Sequence, residues 1–87
     1  MAFNIDAVPQ KFEALAQVIG QARGAALVPW LHELKQRIGI APRLSAAGVK
    51  REQFTRLVEI ATADMCHQTN PRPCTAADFE RFFEAAF

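Results

Sequence analysis

Cys66-His67-Gln68-Thr69-Asn70-Pro71-Arg72-Pro73-Cys74-Thr75 is the stretch around which the rest of the chain is read. Two prolines bracket an arginine, an asparagine precedes them, and a cysteine stands at either side. Segments of helical period lie before and after it. The stretch therefore suggests a buried, conformationally fixed connector between helices.

Downstream, Thr75 and Asp78 have the spacing of a capping box, with Asp a shorter partner than the usual Glu or Gln. A helix follows, with Phe79, Phe82, Phe83 and Ala86 on one side and Asp78, Glu80, Arg81 and Glu84 interleaved. Phe87 closes the chain on the apolar side. Upstream, Val49, Phe54, Leu57, Val58, Ala61 and Met65 define the apolar face of a helix expected over about 50–66. Arg51, Glu52, Arg56 and Glu59 stand on its solvent side, and Glu52 and Arg56 at i,i+4 form a pair of about 0.2–0.5 kcal/mol.

Farther back, Ile40-Ala41-Pro42 reads as an extended exit, and 44–47 allows one turn before Gly48 breaks it. Pro9 suits the first turn of a helix, with Asp6 or Ala7 near its N-cap. Phe12, Leu15, Ala16 and Ile19 then recur at helical spacing up to Gly20, a left-handed stop. After a polar link over 21–24, Leu27, Leu31, Leu34 and Ile38 form a second stripe that Gly39 ends. Pro29 places that helix start near Ala25 or later, and Trp30 and His32 lie off the stripe. No strand alternation and no internal repeat is present, so the fold class is all-α, four to five helices with short links, in one domain over 1–87.

At 87 residues the chain buries only about 60 to 65% of the surface exposed when unfolded. Half of the residues are hydrophobic, and seven are phenylalanines. Ten basic and nine acidic residues give a net charge of +1, with the signs mixed along the chain, which argues against nucleic acid or an anionic membrane as partner. The apolar runs fall far short of the roughly 20 residues that span a bilayer. With no basic region followed by an apolar stretch at the N-terminus, the expected location is the cytoplasm. Cys66 and Cys74 are accordingly expected as free thiols, small and buried.

None of the requirements for catalysis by this chain alone is evident: no nucleophile with its base, no phosphate cradle, and single glycines at segment ends. Cys66, His67, Cys74 and distant His32 lack the paired spacing by which one turn presents two metal ligands. His32, among charged neighbours, reads as a surface or boundary residue, and the phenylalanines of the last helix read as core. In Asn70 and Arg72 the residues allow two roles. The amide can bond backbone groups left unpartnered by the prolines, and the guanidinium can tie carbonyls or a carboxylate together. A structural clamp is favoured over contact with a substrate.

The order and spacing of Phe3-Asn4, Gly39-Ile40-Ala41-Pro42, Leu44, Gly48-Val49, Cys66, Asn70-Pro71-Arg72-Pro73 and an acidic-aromatic last helix resemble the C-terminal end of iron-containing (group III) alcohol dehydrogenases. The resemblance covers nearly the whole chain. It implies part of the dehydroquinate synthase-like helical domain that follows a dinucleotide-binding α/β domain. It also implies an enzyme that exchanges a hydride between NAD(P) and an alcohol or aldehyde, with iron or another divalent metal held by one aspartate and three histidines.

Those ligands and the nucleotide-binding domain belong upstream of Phe3-Asn4, and neither His32 nor His67 matches a ligand position. The expectation is therefore no catalytic, cofactor-binding or metal residue in this chain, and no turnover by it alone. Cys66 matches the place where the family's chain approaches the cleft and is the substrate-pocket candidate; Asn70, Pro71 and Arg72 are the clamp that fixes that approach. Cys74, where many relatives carry a non-ionisable residue, is expected to pack.

A helix of the relatives runs into the segment matching 1–4. Met1 is then internal to a longer protein, the start of a shortened frame, or the edge of an excised domain. The expected partner is the missing N-terminal part, or a second copy meeting it as a dimer through an exposed apolar face. The alternatives are an autonomous helical interaction module, and a complementing subunit for a separately encoded catalytic partner.

Overall fold

Proline, glycine and capping residues punctuate the chain much as their local chemistry requires. The computed structural model describes residues 1–40 and 43–87. The extended exit expected at Ile40-Ala41-Pro42 falls, at Ala41 and Pro42, outside the described residues. Among the described residues there are four α-helices joined by short 3-10 segments and no strand, as the all-α reading requires. The contacts divide the chain into two compact units, Met1–Ile40 and Ala41–Phe87.

In the first unit, helix α1 (Pro9–Val18) has Pro9 at its first position. Its N-cap is Val8 rather than Asp6 or Ala7. The reason is a preceding turn in which the amides of Ala7 and Val8 both donate to the Asn4 carbonyl, at 3.1 and 3.2 Å. The helix closes through Gly20, whose φ of +73° lets Gln21 N–H reach the Ala16 carbonyl at 2.8 Å and Gly20 N–H reach that of Gln17 at 3.1 Å, a Schellman closure. A 3-10 turn, Gly24–Ala26, leads into α2 (Leu27–Arg37), so Pro29 lies in the first turn. Gly39 ends α2 by the same pair of bonds, from Ile40 to Lys35 and from Gly39 to Gln36.

The core of this unit is small: Phe12, Ala16 and Leu27 are buried. Gly24 is buried against α1, and a Cβ there would lie 2.9 Å from the Phe12 carbonyl carbon and from the Glu13 nitrogen. The link thus runs directly over the backbone of α1 because it carries no side chain at this point. The expected apolar stripes are only partly covered. Leu15 and Ile38 are exposed, as is Val18 at 84%, because nothing else in the unit reaches them.

In the second unit, 43–48 forms a turn ended by Gly48, as its composition suggests. A 3-10 turn, Arg51–Gln53, starts the third helical segment, and α3 (Phe54–Ala63) follows. The expected helix over 50–66 is thus shorter by a turn. Asp64 leaves the helical region at ψ 127° and accepts the Cys66 N–H, and this competing local bond stops the ladder. Met65–Thr69 is a separate 3-10 segment, and Met65, expected on the apolar face, is 71% exposed. The recorded ion pair of Arg56 is with Glu59 at 3.0 Å rather than with Glu52.

Helix α4 (Ala76–Ala86) begins with the expected capping box. Thr75 Oγ1 accepts from Asp78 N–H at 3.3 Å, and Asp78 Oδ2 accepts from Thr75 N–H at 2.9 Å and from its hydroxyl at 2.8 Å. Phe54, at the start of α3, is buried and meets Phe83 and Phe87 from the end of α4, with ring centroids 6.0 and 5.4 Å apart. The two helices therefore run antiparallel. Phe79 and Phe83 are half-buried and Phe82 is 37% exposed, so the aromatic face of α4 is a boundary layer more than a core.

Candidate functional site

The connector between α3 and α4 is built by short side chains that take over backbone groups released at the end of α3. Asp64 Oδ1 accepts from Cys66 N–H at 2.7 Å, and Thr69 Oγ1 donates to the Cys66 carbonyl at 3.2 Å. With its Nε2 protonated, His67 donates to the Thr62 carbonyl at 3.2 Å, and its ring stands edge-on to Phe79 at 5.4 Å. His67 is thereby used up in closing the connector against α3 and α4. His32, on α2, is exposed, as expected of a surface residue.

Asn70 does what an Asn before a proline can do. Its Nδ2 donates to the Arg72 carbonyl and, at 3.5 Å, to Cys74 Sγ. The Cys74 thiol lies 3.6 Å from that same carbonyl, so Asn70 and Cys74 converge on one acceptor across Pro71 and Pro73. Thr75 then starts α4. The connector is fixed by these bonds, but it is not buried: Pro71, Arg72 and Pro73 are exposed, and Asn70 and Cys74 are half-covered. Side-chain-to-backbone bonding replaces burial as the source of order, which suits a ten-residue segment with few apolar residues.

Cys66 is exposed and Cys74 partly so, both as free thiols. The expectation of small buried cysteines therefore fails at Cys66, because the early end of α3 swings it off the helix face. Asp64 sets the chemistry of this thiol. Hydrogen bonding from the Cys66 side chain and backbone holds the Asp64 carboxyl below the usual carboxylate range, and the same contact, with the carboxylate charge, pushes the Cys66 thiol up. A thiol kept protonated is a poor nucleophile. As it stands, Cys66 presents a small, weakly polar surface.

A groove of 480 Å³ lies within the second unit, with apolar lining from Phe54, Val58, Ala76 and Ala77 and polar lining from Arg51, Thr55, Glu80 and Glu84. Cys66 is not among its lining residues. The sequence reading missed one contributor to this groove, Arg51, which pairs with Glu84, and one to the connector, Asp64. The second was open to detection, since Asp favours N-cap positions; the first depends on tertiary contact.

Among the described residues no group of three or more His, Cys, Asp or Glu side chains is placed to hold a metal ion. A catalytic iron centre needs several converging oxygen or nitrogen ligands, and the donors among the described residues do not supply that set. No helix of the described residues is long and apolar enough to cross a membrane.

Comparison with known proteins agrees with the architecture. The chain is 30% identical to 4-hydroxybutyrate dehydrogenase of Cupriavidus necator, over 97% of this chain and 23% of that protein. It is 31% identical to lactaldehyde reductase of Escherichia coli strain K12, over 100% of this chain and 25% of that protein. With the NAD-dependent methanol dehydrogenase of Bacillus methanolicus the identity is 28%, over 98% and 24% respectively. The chain thus spans at most 25% of the length of these relatives. No solved structure matches it. The Fe-containing alcohol dehydrogenase family, C-terminal, matches residues 1–87, and the chain belongs to that family.

Proposed function

We propose that this chain is the C-terminal helical part of an iron-dependent, NAD(P)-linked alcohol dehydrogenase acting on a small alcohol or aldehyde, and that it does not turn over by itself. The observation that carries this reading is the match of all 87 residues to the C-terminal part of the family. The relatives, a dehydrogenase of 4-hydroxybutyrate, a reductase of lactaldehyde and an NAD-dependent dehydrogenase of methanol, support small oxygenated substrates. The metal and the nicotinamide belong to the part of the enzyme that precedes this chain.

This chain's own contribution is positional. Asn70, Pro71 and Arg72 hold the connector through the bonds that meet at the Arg72 carbonyl, and Cys66, a neutral thiol that Asp64 makes still harder to ionise, offers a small uncharged surface toward the cleft. The partner is the missing N-terminal part, supplied in the same polypeptide or as a separate subunit. Leu15 and Val18, one turn apart on α1, and Ile38 at the end of α2 are exposed apolar residues that support such a covering partner.

The chain, supplied with NAD(P), divalent metal and a range of short alcohols, is expected to show no turnover. Metal-dependent activity from this polypeptide alone overturns the proposal. A second reading, association of two copies through the same apolar residues, is tested by light scattering after size exclusion. A stable monomer at high concentration counts against both forms of covering and favours an autonomous module.

A further inference from the structure

We propose that Phe87 is a latch: it holds the 43–49 turn to the end of α4, and its release loosens that turn before either helix of the second unit opens. Two hydrogen bonds join the turn to the chain end. Leu44 N–H donates to the Ala86 carbonyl at 2.8 Å, and the Ser45 hydroxyl donates to the Phe87 main-chain oxygen at 2.7 Å, across 42 positions of sequence.

The ring of Phe87 fixes that geometry from the other side. It stands edge-on to Phe54 at 5.4 Å and 82°, and the Arg51 guanidinium lies 4.4 Å from its centroid. Arg51 is itself anchored by Glu84 on the last turn of α4. A cation over an aromatic face and an edge-on aromatic pair are both directional, so they orient the ring as well as bury it.

The turn's remaining bonds are local. Ala47 and Val49 N–H donate to the Leu44 carbonyl, each at 3.0 Å, and Gly48 N–H donates to that of Ser45 at 3.1 Å. Such a closed turn with exposed members has little to hold it once its ties to α4 are gone.

Amide hydrogen exchange of the full chain tests this, with Phe87→Ala and Ser45→Ala. Phe87→Ala is expected to speed exchange at Leu44, Ala47, Gly48 and Val49 by about tenfold or more, and Ser45→Ala to speed it several-fold at the same amides. Protection in the body of α3 and in α1 stays as in the parent. Unchanged protection at Leu44 and Val49 in Phe87→Ala overturns the proposal. So does equal acceleration throughout α3 and α4 in that variant, since it makes Phe87 an ordinary core residue of the whole unit.

Discussion

Replacing Gly24 with alanine adds one methyl group at the closest approach in the first unit. The new Cβ would lie 2.9 Å from the Phe12 carbonyl carbon, 2.9 Å from the Glu13 nitrogen and 3.0 Å from the Phe12 Cβ. Two of these three obstacles are helix backbone, so no rotamer change relieves them, and overpacking of this kind costs about 1–3 kcal/mol. Lower entropy of the unfolded chain returns about 0.4–1 kcal/mol, leaving a net loss on the order of 1–2 kcal/mol. With a urea slope of about 1 kcal/mol/M for a small unit, the midpoint falls by about 1–2 M.

Trp30, the single tryptophan, lies on α2 and reports this unit by fluorescence. Gly20 supplies the contrast: it has a positive φ and nothing within 4 Å of an added Cβ, so its problem is conformation alone. Gly20→Asn should therefore be better tolerated than Gly20→Ala, because Asn accepts the left-handed region more readily. At position 24 the order should reverse, with Asn worse than Ala. A Trp30 midpoint unchanged in Gly24→Ala, or the same ranking at both glycines, would refute the reasoning.

Phe54→Ala removes the buried ring that meets Phe83 and Phe87 and is expected to cost about 3–5 kcal/mol. Loss of the second unit's helical signal, with the Trp30 transition retained, is the readout. The Asp78 carboxyl is held below its usual value by bonding from Thr75 and by Arg81. Its contribution is present above the unfolded carboxylate value of about 3.9 and is lost as pH falls through the folded value. Acid titration of the α4 signal should show this limb, and Asp78→Asn should flatten it. Asp64→Asn removes the anionic acceptor that keeps the Cys66 thiol protonated; iodoacetamide should then alkylate Cys66 faster near pH 8, and an unchanged rate would show that Asp64 does not control it.

What the sequence made legible was local. The Thr75/Asp78 cap and the stops at Gly20 and Gly39 involve residues no more than five positions apart, and all three formed as their chemistry requires. The end of α3 was misread because the apolar period from Val58 through Ala61 to Met65 runs on past Asp64, while Asp64 withdraws the Cys66 N–H from the helix. Gly24 looked like loop punctuation and is a contact residue. The setting of Arg51 between Glu84 and Phe87 joins residues more than thirty positions apart, and no spacing rule reaches that far. At the connector, the bonding of Asn70 was open to inference from its proline neighbour; the exposure of Cys66 was not, since it follows from where α3 stops.

The apolar stripes and the small core are two sides of one fact. Half of the chain is hydrophobic, yet only Phe12, Ala16, Leu27 and Phe54 are the buried hydrophobics among the described residues. Helices of amphipathic pattern gain most of their stability from the surface they cover, and units this small sit near the lower size at which a chain supplies that surface itself. Val18, Ile38 and Met65 are well placed on helical period or next to it, and they remain in water. Their chemistry fits surfaces that a larger body covers, and membership in a family whose compared members are about four times longer supports the proposal that the covering body is the remainder of the enzyme.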